Sequence, residues 1–399
     1  MGAVSIDRPP RRRYTRSVAV SSLYVHVPFC ASKCSYCAFF SHAPDGETVN
    51  RYVAAVVREL EMIAGDCAPR TIFFGGGTPS ILNLRQWETI LETMRRLGLT
   101  GAEEWTVECN PATVSADKAQ LLREGGVNRI SMGVQTLDAG LLDRLGRVHT
   151  REMVFKSYDI LRAAGFDNVN LDLMFAIPSQ TIEQFEESLR EVTALQPEHL
   201  SVYEVIYEQD TPLYEQLRAG QFDVDEERAC EMYDRLIEFV EARGWHQYEI
   251  ANFARDTGAM PGSIPSRASR HNINYWRGGA YHGVGPSATG YTNHIRTRNI
   301  ANTRQYCERL ECDERPTEET EQLTPLARAG ETAAFGLRMN AGWPFDDFMR
   351  ATGHDLREHW ASEMDGLVQR DMAVREAERF RLTPYGLRFA DTAAQEFLR

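Results

Sequence analysis

Three cysteines near the amino end of the chain have the residue type and spacing of a metal site. Cys30, Cys34 and Cys37 form a C-x3-C-x2-C motif directly after an apolar, strand-like segment. Closely spaced thiolates bind zinc or an iron–sulfur cluster. Structural zinc takes four ligands, usually from two C-x2-C pairs, whereas three thiolates on a [4Fe–4S] cluster leave one iron open to a substrate. We favour the cluster, with zinc and accidental grouping as the alternatives.

Composition limits the function classes. The chain has 399 residues, of which 43% are hydrophobic and 25% charged, as expected for a globular protein of two or three domains. These values exclude a disordered chain, a collagen and a coiled-coil rod. The 57 acidic residues outnumber the 44 basic ones, giving a net charge of −13. A nucleic-acid binder usually has the opposite sign, so nucleic acid is not an expected partner.

The amino-terminal tail and the remaining cysteines bear on location. Residues 1–21 are predicted to be a flexible basic tail, because the polar residues that follow its arginines argue against an export signal. No stretch approaches the about 20 apolar residues of a membrane span. We therefore predict a cytoplasmic protein whose eight cysteines are thiols or metal ligands rather than disulfides. Five of these are scattered: Cys67, Cys109, Cys230, Cys307 and Cys312.

Strand-like and helix-like segments alternate over the first 250 residues. This alternation predicts an α/β fold, with six βα units forming a parallel sheet that has helices on its outside. A seventh strand is predicted at Gln247–Ala251, after a helix at Asp225–Arg243. The six strands are Leu23–Val27, Thr71–Phe74, Glu104–Cys109, Arg129–Gln135, Val169–Phe175 and Leu200–Val205. Helices include Arg51–Ala64, Leu84–Leu97, Arg151–Ala164 (with Thr150 as N-cap) and Thr181–Ala194.

The strands have one apolar and one polar face. In the fifth strand Leu171 and Leu173 share a face, while Asp172 points to the other; Glu108 and Gln135 occupy the polar faces of their strands. The apolar face must pack against helices, so the polar face looks inward. A closed (β/α)8 barrel fills its interior with Val, Ile and Leu. We therefore predict an open, partial (β/α)6 barrel whose lumen holds a polar ligand.

Changes in local amino-acid composition divide the rest of the chain into three regions. Residues 22–255 form the predicted barrel, and 256–299 are rich in Gly, Pro, Ser and Asn and read as an ordered functional loop region. Residues 300–399 are predicted to be a small α-rich carboxy-terminal domain, with one helix at Leu326–Arg338 and another at Phe345–Glu358.

A series of motifs, in a fixed order, carries a family resemblance. Together with the cysteines, they resemble the radical SAM superfamily, and within it the oxygen-independent coproporphyrinogen III oxidase-like group, from about Ser22 to the carboxy terminus. The motifs are Gly75–Pro79 (GGGTP), Glu108–Pro111 (ECNP), Ser131–Gln135 (SMGVQ), Gly146–His149 (GRVH) and Asn170–Leu173 (NLDL).

The resemblance implies cofactors and the residues that hold them. The open iron of a [4Fe–4S] cluster would chelate S-adenosyl-L-methionine, and an electron from the cluster would cleave it to a 5′-deoxyadenosyl radical. An ion pair of Arg147 with a lumen carboxylate, a plain glycine turn and core tyrosines are the structural alternatives. The implied S-adenosylmethionine residues are Glu108, Gln135, Arg147 and Asp172, with Gly76, Gly77 and Thr78 close to the methionine and Tyr24 and Tyr36 beside the cluster.

Three features resemble the heme-chaperone branch of this group. Phe39 stands where the oxidases have a fourth cysteine, and the segment before the first strand is short. The sequence His271–Trp276 (HNINYW) matches the H-N-x-x-Y-W motif associated with heme in that branch. The implied heme residues are His271, Asn272, Tyr275 and Trp276, with imidazole as an iron ligand and the aromatics as porphyrin contacts. A hydrogen-bonded histidine with core aromatics is the alternative.

The leading hypothesis is a cytoplasmic heme chaperone that binds heme as cargo and passes it to an acceptor protein, with an unidentified electron donor. The main alternative is radical oxidative decarboxylation of coproporphyrinogen III, or another reaction on a tetrapyrrole. An electron-transfer iron–sulfur protein is a third. Enzyme activity is left open, coproporphyrinogen oxidase activity is not expected, and transient contact with a membrane protein is not excluded.

Overall fold

A computed structural model describes residues 19–256 and 263–399. Most of the predicted tail and part of the loop-rich segment lie outside the described residues. The strands are β1 Val20–Val27, β2 Cys67–Gly76, β3 Glu104–Cys109, β4 Arg129–Gln135, β5 Val169–Phe175, β6 His199–Glu204, β7 Trp245–Glu249, β8 Asn252–Arg255, β9 His282–Val284, β10 Thr289–Thr292, β11 Ile295–Asn299, β12 Thr317–Glu321, β13 Trp343–Pro344, β14 Ala373–Arg375 and β15 Arg379–Leu382.

The helices surround and extend this set of strands. They are α1 Gly46–Ile63, α2 Leu84–Arg96, α3 Ala116–Glu124, α4 Ala139–Arg144, α5 Arg151–Ala163, α6 Ile182–Ala194, α7 Pro212–Arg218, α8 Glu226–Glu241, α9 Arg270–Trp276, α10 Thr303–Glu311, α11 Pro325–Gly336, α12 Phe345–Thr352, α13 Leu356–His359, α14 Ala361–Gln369, α15 Pro384–Arg388 and α16 Ala390–Gln395.

The main sheet is open and largely parallel. Its nine strands lie in the order β7-β8-β6-β5-β4-β3-β2-β1-β9, and β1 to β6 pair in parallel with their sequence neighbours. The predicted α/β class and the six βα units are confirmed. β3, β4 and β5 have the predicted bounds, and the Thr150 side chain caps α5 as expected.

The sheet edges differ from the prediction. The seventh strand begins at Trp245 and is antiparallel to β8, which is itself antiparallel to β6. Only residues 250 and 251 separate β7 from β8, far fewer than a parallel crossover requires, so the chain must reverse. At the other edge β9 pairs in parallel with β1, which the loop-like texture of residues 256–299 did not predict.

The strand faces pack as their alternation predicts. Leu23, Val25 and Val27 of β1 have no exposed surface, and together with the equivalent residues of β2 to β6 they form the main core beneath the helices. Because successive side chains alternate, Thr106 and Arg129 point inward from β3 and β4. The apolar layer fixes the register of the strands, and this register places polar groups in the lumen.

A second core lies in the carboxy-terminal part of the chain. It begins at Ala329 and ends at Phe397. In contrast, Tyr306, Cys307 and Leu310 of α10 belong to the main core, although the predicted division falls at residue 300. The helix predicted at Phe345–Glu358 is broken, because Gly353 adopts a left-handed conformation (φ 77°) that ends α12.

A buried glutamate joins three elements beside β1. Glu59 of α1 accepts hydrogen bonds from the backbone N–H of Gly285 (2.8 Å), the Asn299 amide (2.7 Å) and the Tyr306 hydroxyl (2.6 Å). Burial raises its pKa to about 7 despite these donors. The network ties the chain after β9 and helix α10 to the barrel.

Among the described residues, no helix is both long enough and apolar enough to cross a membrane.

We expect Tyr306→Phe to lower the free energy of unfolding at pH 8 by about 1.5–3 kcal/mol, because it removes a donor from a buried carboxylate. Chemical denaturation would measure the change. Tyr385→Phe is the control, since the Tyr385 side chain is 54% exposed. Equal stabilities of the two variants would show that the Glu59 network does not need this hydroxyl.

Candidate functional site

The cysteine loop follows β1 and is held at its base by the backbone. The N–H of Cys30 donates to the carbonyl of His42 (3.0 Å), and the N–H of His42 donates to that of Pro28 (2.9 Å). Within the loop, the N–H of Cys37 donates to the Cys34 carbonyl (3.2 Å). All three cysteines are half-buried free thiols. The loop is therefore a closed turn that presents them on one side.

Ser35, in the middle of this loop, is bound to two other loops of the barrel. Its N–H donates to the carbonyl of Leu145 (2.9 Å), and its carbonyl accepts from the N–H of Leu213 (2.8 Å). Gly146 allows the close approach: its φ is +69°, and an added Cβ would lie 3.0 Å from the Ser35 hydroxyl oxygen. The cysteine loop is thus positioned by the loops after β4 and β6.

The three thiols can be compared with the ligand geometries of zinc and of a four-iron cluster. Within residues 19–256 and 263–399, no group of three His, Cys, Asp or Glu side chains converges as one metal ion would need. Zinc requires its sulfur ligands about 2.3 Å from one point. A four-iron cluster instead takes each thiolate on a different iron. The Cys30, Cys34 and Cys37 thiols also border a cavity large enough for a ligand.

This cavity is the lumen predicted from the strand alternation. Its volume is about 690 Å³, within the range of small-molecule sites. The three cysteines line it, and so do most of the residues predicted to bind cofactor: Tyr36, Gly76, Gly77, Thr78, Glu108, Gln135, Arg147 and Asp172. Tyr24 is not among its lining residues; its hydroxyl is 3.0 Å from His26 Nδ1, and its ring stacks on Phe73.

The glycine-rich segment after β2 packs tightly against the cysteine loop. The N–H groups of Gly77 and Thr78 donate to the carbonyls of Val27 (2.8 Å) and Phe29 (2.7 Å). A Cβ on Gly77 would lie 2.7 Å from both carbonyl oxygens, and one on Gly76 would lie 2.4 Å from the His26 ring. These glycines are therefore required by packing within the protein. Thr78 Oγ1 lies 3.5 Å from Cys30 Sγ.

Two carboxylates lie inside the lumen on neighbouring parts of the sheet. Glu108 accepts from the N–H of Gly76 (3.2 Å), and Asp172 accepts from the Asn170 amide (2.6 Å). Burial, and secondly the charge of Asp172, raises the pKa of Glu108 to about 8. Burial raises the pKa of Asp172 to about 6. Neither carboxylate has a direct ion-pair partner among the described side chains, so both could receive hydrogen bonds from a ligand.

The ion pair of Arg147 with a lumen carboxylate, which was the structural alternative, is not formed. Arg147 donates to the Gly133 carbonyl (2.6 Å) and to Cys34 Sγ (3.4 Å), not to Glu108 or Asp172. Its Nε atom is buried without a hydrogen-bond partner among the described residues. Arg147 thus places a positive charge beside the cysteine loop.

Gln135 lies at an irregular end of β4. Its φ is +67°, and a register shift lies between Gly133 and Gln135. Its side-chain oxygen accepts from the Tyr203 hydroxyl (3.1 Å). The bulge turns this amide toward the lumen at the same edge as the cysteine loop.

Sequence reasoning did not single out Arg129, although it lies on the predicted inward face. Its side chain is 2% exposed, lines the lumen and donates only weakly, to Thr106 (3.4 Å). Its charge lowers the pKa of both Glu108 and Asp172 against the effect of burial. The sequence signal that could have identified Arg129 is its position as a charged residue on the inward face of a predicted strand.

The H-N-x-x-Y-W segment forms the short helix α9, which lies against the amino-terminal ends of β2 and β3. His271 is 1% exposed, stacks on Phe73, and its nitrogens are hydrogen-bonded to the Thr71 hydroxyl (2.9 Å) and the Tyr275 hydroxyl (2.8 Å). Burial lowers its pKa to about 3. In this arrangement neither nitrogen is free to bind iron, and the assignment of His271 as a heme ligand stays a prediction.

The structure does not bring the four predicted heme residues to one surface. Asn272 lines the lumen, Tyr275 packs on Tyr281, and Trp276 packs between Phe335 and Arg338 of the carboxy-terminal region. Buried Glu104 holds the start of α9 by accepting from the N–H groups of residues 270 and 271 (both 2.9 Å). The segment therefore links the base of the lumen to the second core.

Comparisons with known proteins agree with this site. The Radical SAM superfamily model matches residues 24–192, and the HemN C-terminal domain model matches residues 323–389. Coproporphyrinogen III oxidase (HemN) from Escherichia coli, described as a radical SAM enzyme, superposes with a TM-score of 0.81 at 20% identity, covering 96% of this chain and 91% of that one. The barrel is that of a radical SAM protein.

Relatives with higher sequence identity show the family to which the chain belongs. The chain is 34% identical to the heme chaperone HemW of Bacillus subtilis (strain 168) over 92% of this chain and 96% of that protein. It is 31% identical to the heme chaperone HemW of Escherichia coli (strain K12), covering 94% and 98%. The chain belongs to the HemW family.

The raised pKa of Glu108 predicts how stability depends on pH. Between pH 4.5 and about 8 the unfolded state loses this proton while the folded state keeps it, so the free energy of unfolding should fall as pH rises. Glu108→Gln should make this decline shallower, because it removes a contribution of about 1.4 kcal/mol for each pH unit between the unfolded-state and folded-state pKa values of Glu108. Denaturation at pH 5 and pH 8 measures it.

The control for this experiment is Glu92→Gln, a change at an exposed position of α2. It should leave the slope unaltered, while Asp172 and Glu59 maintain part of the decline in both variants. A slope in Glu108→Gln equal to that of the unmodified protein would mean that Glu108 is not protonated in the lumen.

Proposed function

We propose that this protein is a heme chaperone that carries a [4Fe–4S] cluster and S-adenosylmethionine, binds heme as cargo and passes it to an acceptor protein. The observation that carries the proposal is the combination of near-complete coverage by HemW relatives with three cysteines that open onto the lumen. Members of the radical SAM superfamily use such a cluster with S-adenosylmethionine, which together supply radical chemistry when bound.

Cys30, Cys34 and Cys37 would hold the cluster. Among the other described cysteines, only Cys109 also lines the lumen. Burial raises its pKa to about 12, so it stays a neutral thiol and a poor ligand. Phe39, two residues after Cys37, cannot ligate iron. One iron would therefore be open to S-adenosylmethionine.

The lumen side chains would hold S-adenosylmethionine by complementary hydrogen-bonding groups. Glu108 and Asp172 offer acceptors to ammonium and hydroxyl groups, whereas Arg147 and Gln135 offer donors at the end of the lumen near the cysteines. The Gly76–Thr78 segment lies beside Cys30 and contributes the Thr78 hydroxyl. Tyr36 packs the cysteine loop against the apolar cluster that includes Leu213.

The cargo, partners and location are proposed on the same basis. The relatives are named as heme chaperones, and the sequence around Phe39 separates this chain from oxidases with a fourth cysteine. We propose heme as cargo, an acceptor protein and an electron donor of unidentified nature, and function in the cytoplasm. Oxidative decarboxylation of coproporphyrinogen is the alternative that an assay must exclude.

We expect each of Cys30→Ala, Cys34→Ala and Cys37→Ala to abolish the cluster, because thiolate ligation is its physical requirement. Iron and sulfide analysis after anaerobic reconstitution gives the result. Cys109→Ala and Cys230→Ala are the controls, one on the lumen wall and one exposed, and both should retain a full cluster. A full cluster in Cys34→Ala, or its loss in Cys109→Ala, contradicts the proposed ligand set.

We expect the purified protein to bind heme at about one per chain and not to convert coproporphyrinogen III when cluster, S-adenosylmethionine and reductant are supplied. Heme titration by absorbance and product analysis by chromatography test the two halves separately. Absence of heme binding would remove the chaperone proposal. Accumulation of protoporphyrinogen would establish the oxidase alternative instead.

A further inference from the structure

Three large apolar side chains are exposed around the cysteine end of the lumen. Phe39 is 65% exposed, Val148 is 58% exposed and Ile206 is 66% exposed. Single exposed apolar residues are ordinary on protein surfaces. These three, however, all line the same cavity as Cys30, Cys34 and Cys37. We refer to Phe39, Val148 and Ile206 as the apolar rim.

The rim is built from three loops that are held together at one point. Phe39 follows the cysteine loop, Val148 lies between α4 and α5, and Ile206 lies between β6 and α7. The backbone hydrogen bonds of Ser35 join the cysteine loop to Leu145, just after α4, and to Leu213, in the first turn of α7. The spacing of the rim is therefore set before any ligand arrives, which lowers the entropic cost of binding to it.

Charges around the rim are asymmetric. Lys33, in the cysteine loop, is exposed and lines the cavity. Glu204 and Glu208, on either side of Ile206 in the sequence, are exposed and line the same cavity. A ligand that fits this pattern is a flat apolar body with anionic groups on one edge. A surface rich in acidic side chains would meet repulsion at the Ile206 side.

We propose that the porphyrin of heme lies on the apolar rim, across the mouth of the lumen, with its propionates directed toward Lys33 and away from Glu204 and Glu208. This inference rests on the proposed function and gives the cargo a place in the structure. It differs from ligation by His271, whose nitrogens are both hydrogen-bonded inside the protein. Heme on the rim would cover the cluster end of the lumen.

The first experiment isolates apolar contact from iron ligation. The full-length protein with its cluster is titrated anaerobically with protoporphyrin IX, which has no iron, and with heme. Phe39→Ala, Val148→Ser and Ile206→Ser combined should weaken binding of both by at least about tenfold, since loss of about 1.4 kcal/mol of contact is tenfold.

The matched control combines Phe389→Ala, Val368→Ser and Leu398→Ser, which remove exposed apolar residues of the carboxy-terminal region that do not line the cavity (44%, 37% and 52% exposed). It should leave both affinities unchanged. Because all six positions are exposed, cluster content and thermal unfolding should be unaltered in both variants, so a lost affinity cannot be attributed to misfolding.

The second experiment tests orientation. Lys33→Ala should weaken protoporphyrin IX severalfold but leave the affinity for its dimethyl ester unchanged, because the ester has no carboxylate to pair. Glu208→Gln should not weaken either ligand. Equal losses for acid and ester in Lys33→Ala would overturn the proposed orientation.

The third experiment locates the ligand. Saturating protoporphyrin IX should slow the transfer of cluster iron to an added chelator in the unmodified protein, but not in the triple rim variant. Unchanged chelation rates would overturn the placement over the cluster. Unchanged porphyrin affinity in the triple rim variant would also overturn the placement. This holds even if a protein electron donor reduces the cluster of that variant more slowly while dithionite reduces it at the normal rate.

The outcomes separate the inference from the proposed function. If the unmodified protein binds neither heme nor protoporphyrin IX, the chaperone proposal itself fails. If it binds both and only His271→Ala abolishes binding while its unfolding transition is retained, heme is held by the α9 motif and the rim proposal is wrong.

Discussion

The need to satisfy charged groups inside the barrel is the constraint on which the rest of the structure depends. Strand alternation forces polar side chains into the lumen, where an unpaired charge is costly. Glu108 and Asp172 respond by holding their protons more tightly, and Arg129 offsets them at a distance. A polar ligand with both donors and charge complements such a cavity. Burial of these groups therefore suits the lumen to a polar ligand, such as the proposed S-adenosylmethionine.

The two ends of the lumen differ in their hydrogen bonding and in the exposure of their side chains. At its base, α9 is anchored by Glu104, and His271 completes a chain of hydrogen bonds from Ser22 through Thr71. Glu104, Thr71 and His271 are thus all hydrogen-bonded to neighbouring elements, as a structural plug requires. At the other end Ser35 makes two backbone hydrogen bonds, and the apolar rim of Phe39, Val148 and Ile206 remains exposed. Because hydrogen bonds close the base of the lumen while the apolar rim is exposed, exchange of ligands is favoured at the cysteine end.

Relatedness and geometry contribute different parts of the functional argument. The HemW relatives cover nearly the whole chain and establish the family, whereas the fold is shared with an oxidase at 20% identity. Fold alone therefore does not choose between handling heme and oxidising its precursor. The choice rests on the similarity to the HemW relatives; at the mouth of the lumen this chain has Phe39, an exposed apolar side chain that cannot bind iron.

Periodicity and motif spacing were sufficient to predict six parallel strands, their inward faces and the order of the lumen residues, because these depend on alternation along single strands. The pairing of β8 with β6 and of β9 with β1, and the hydrogen bonds of Arg147 and His271, were decided by tertiary structure. Each depends on which distant segment lies opposite, and local sequence carries no record of that neighbour. The apolar rim is the clearest case: Phe39, Val148 and Ile206 come from separate loops, and only the folded barrel places them around one cavity.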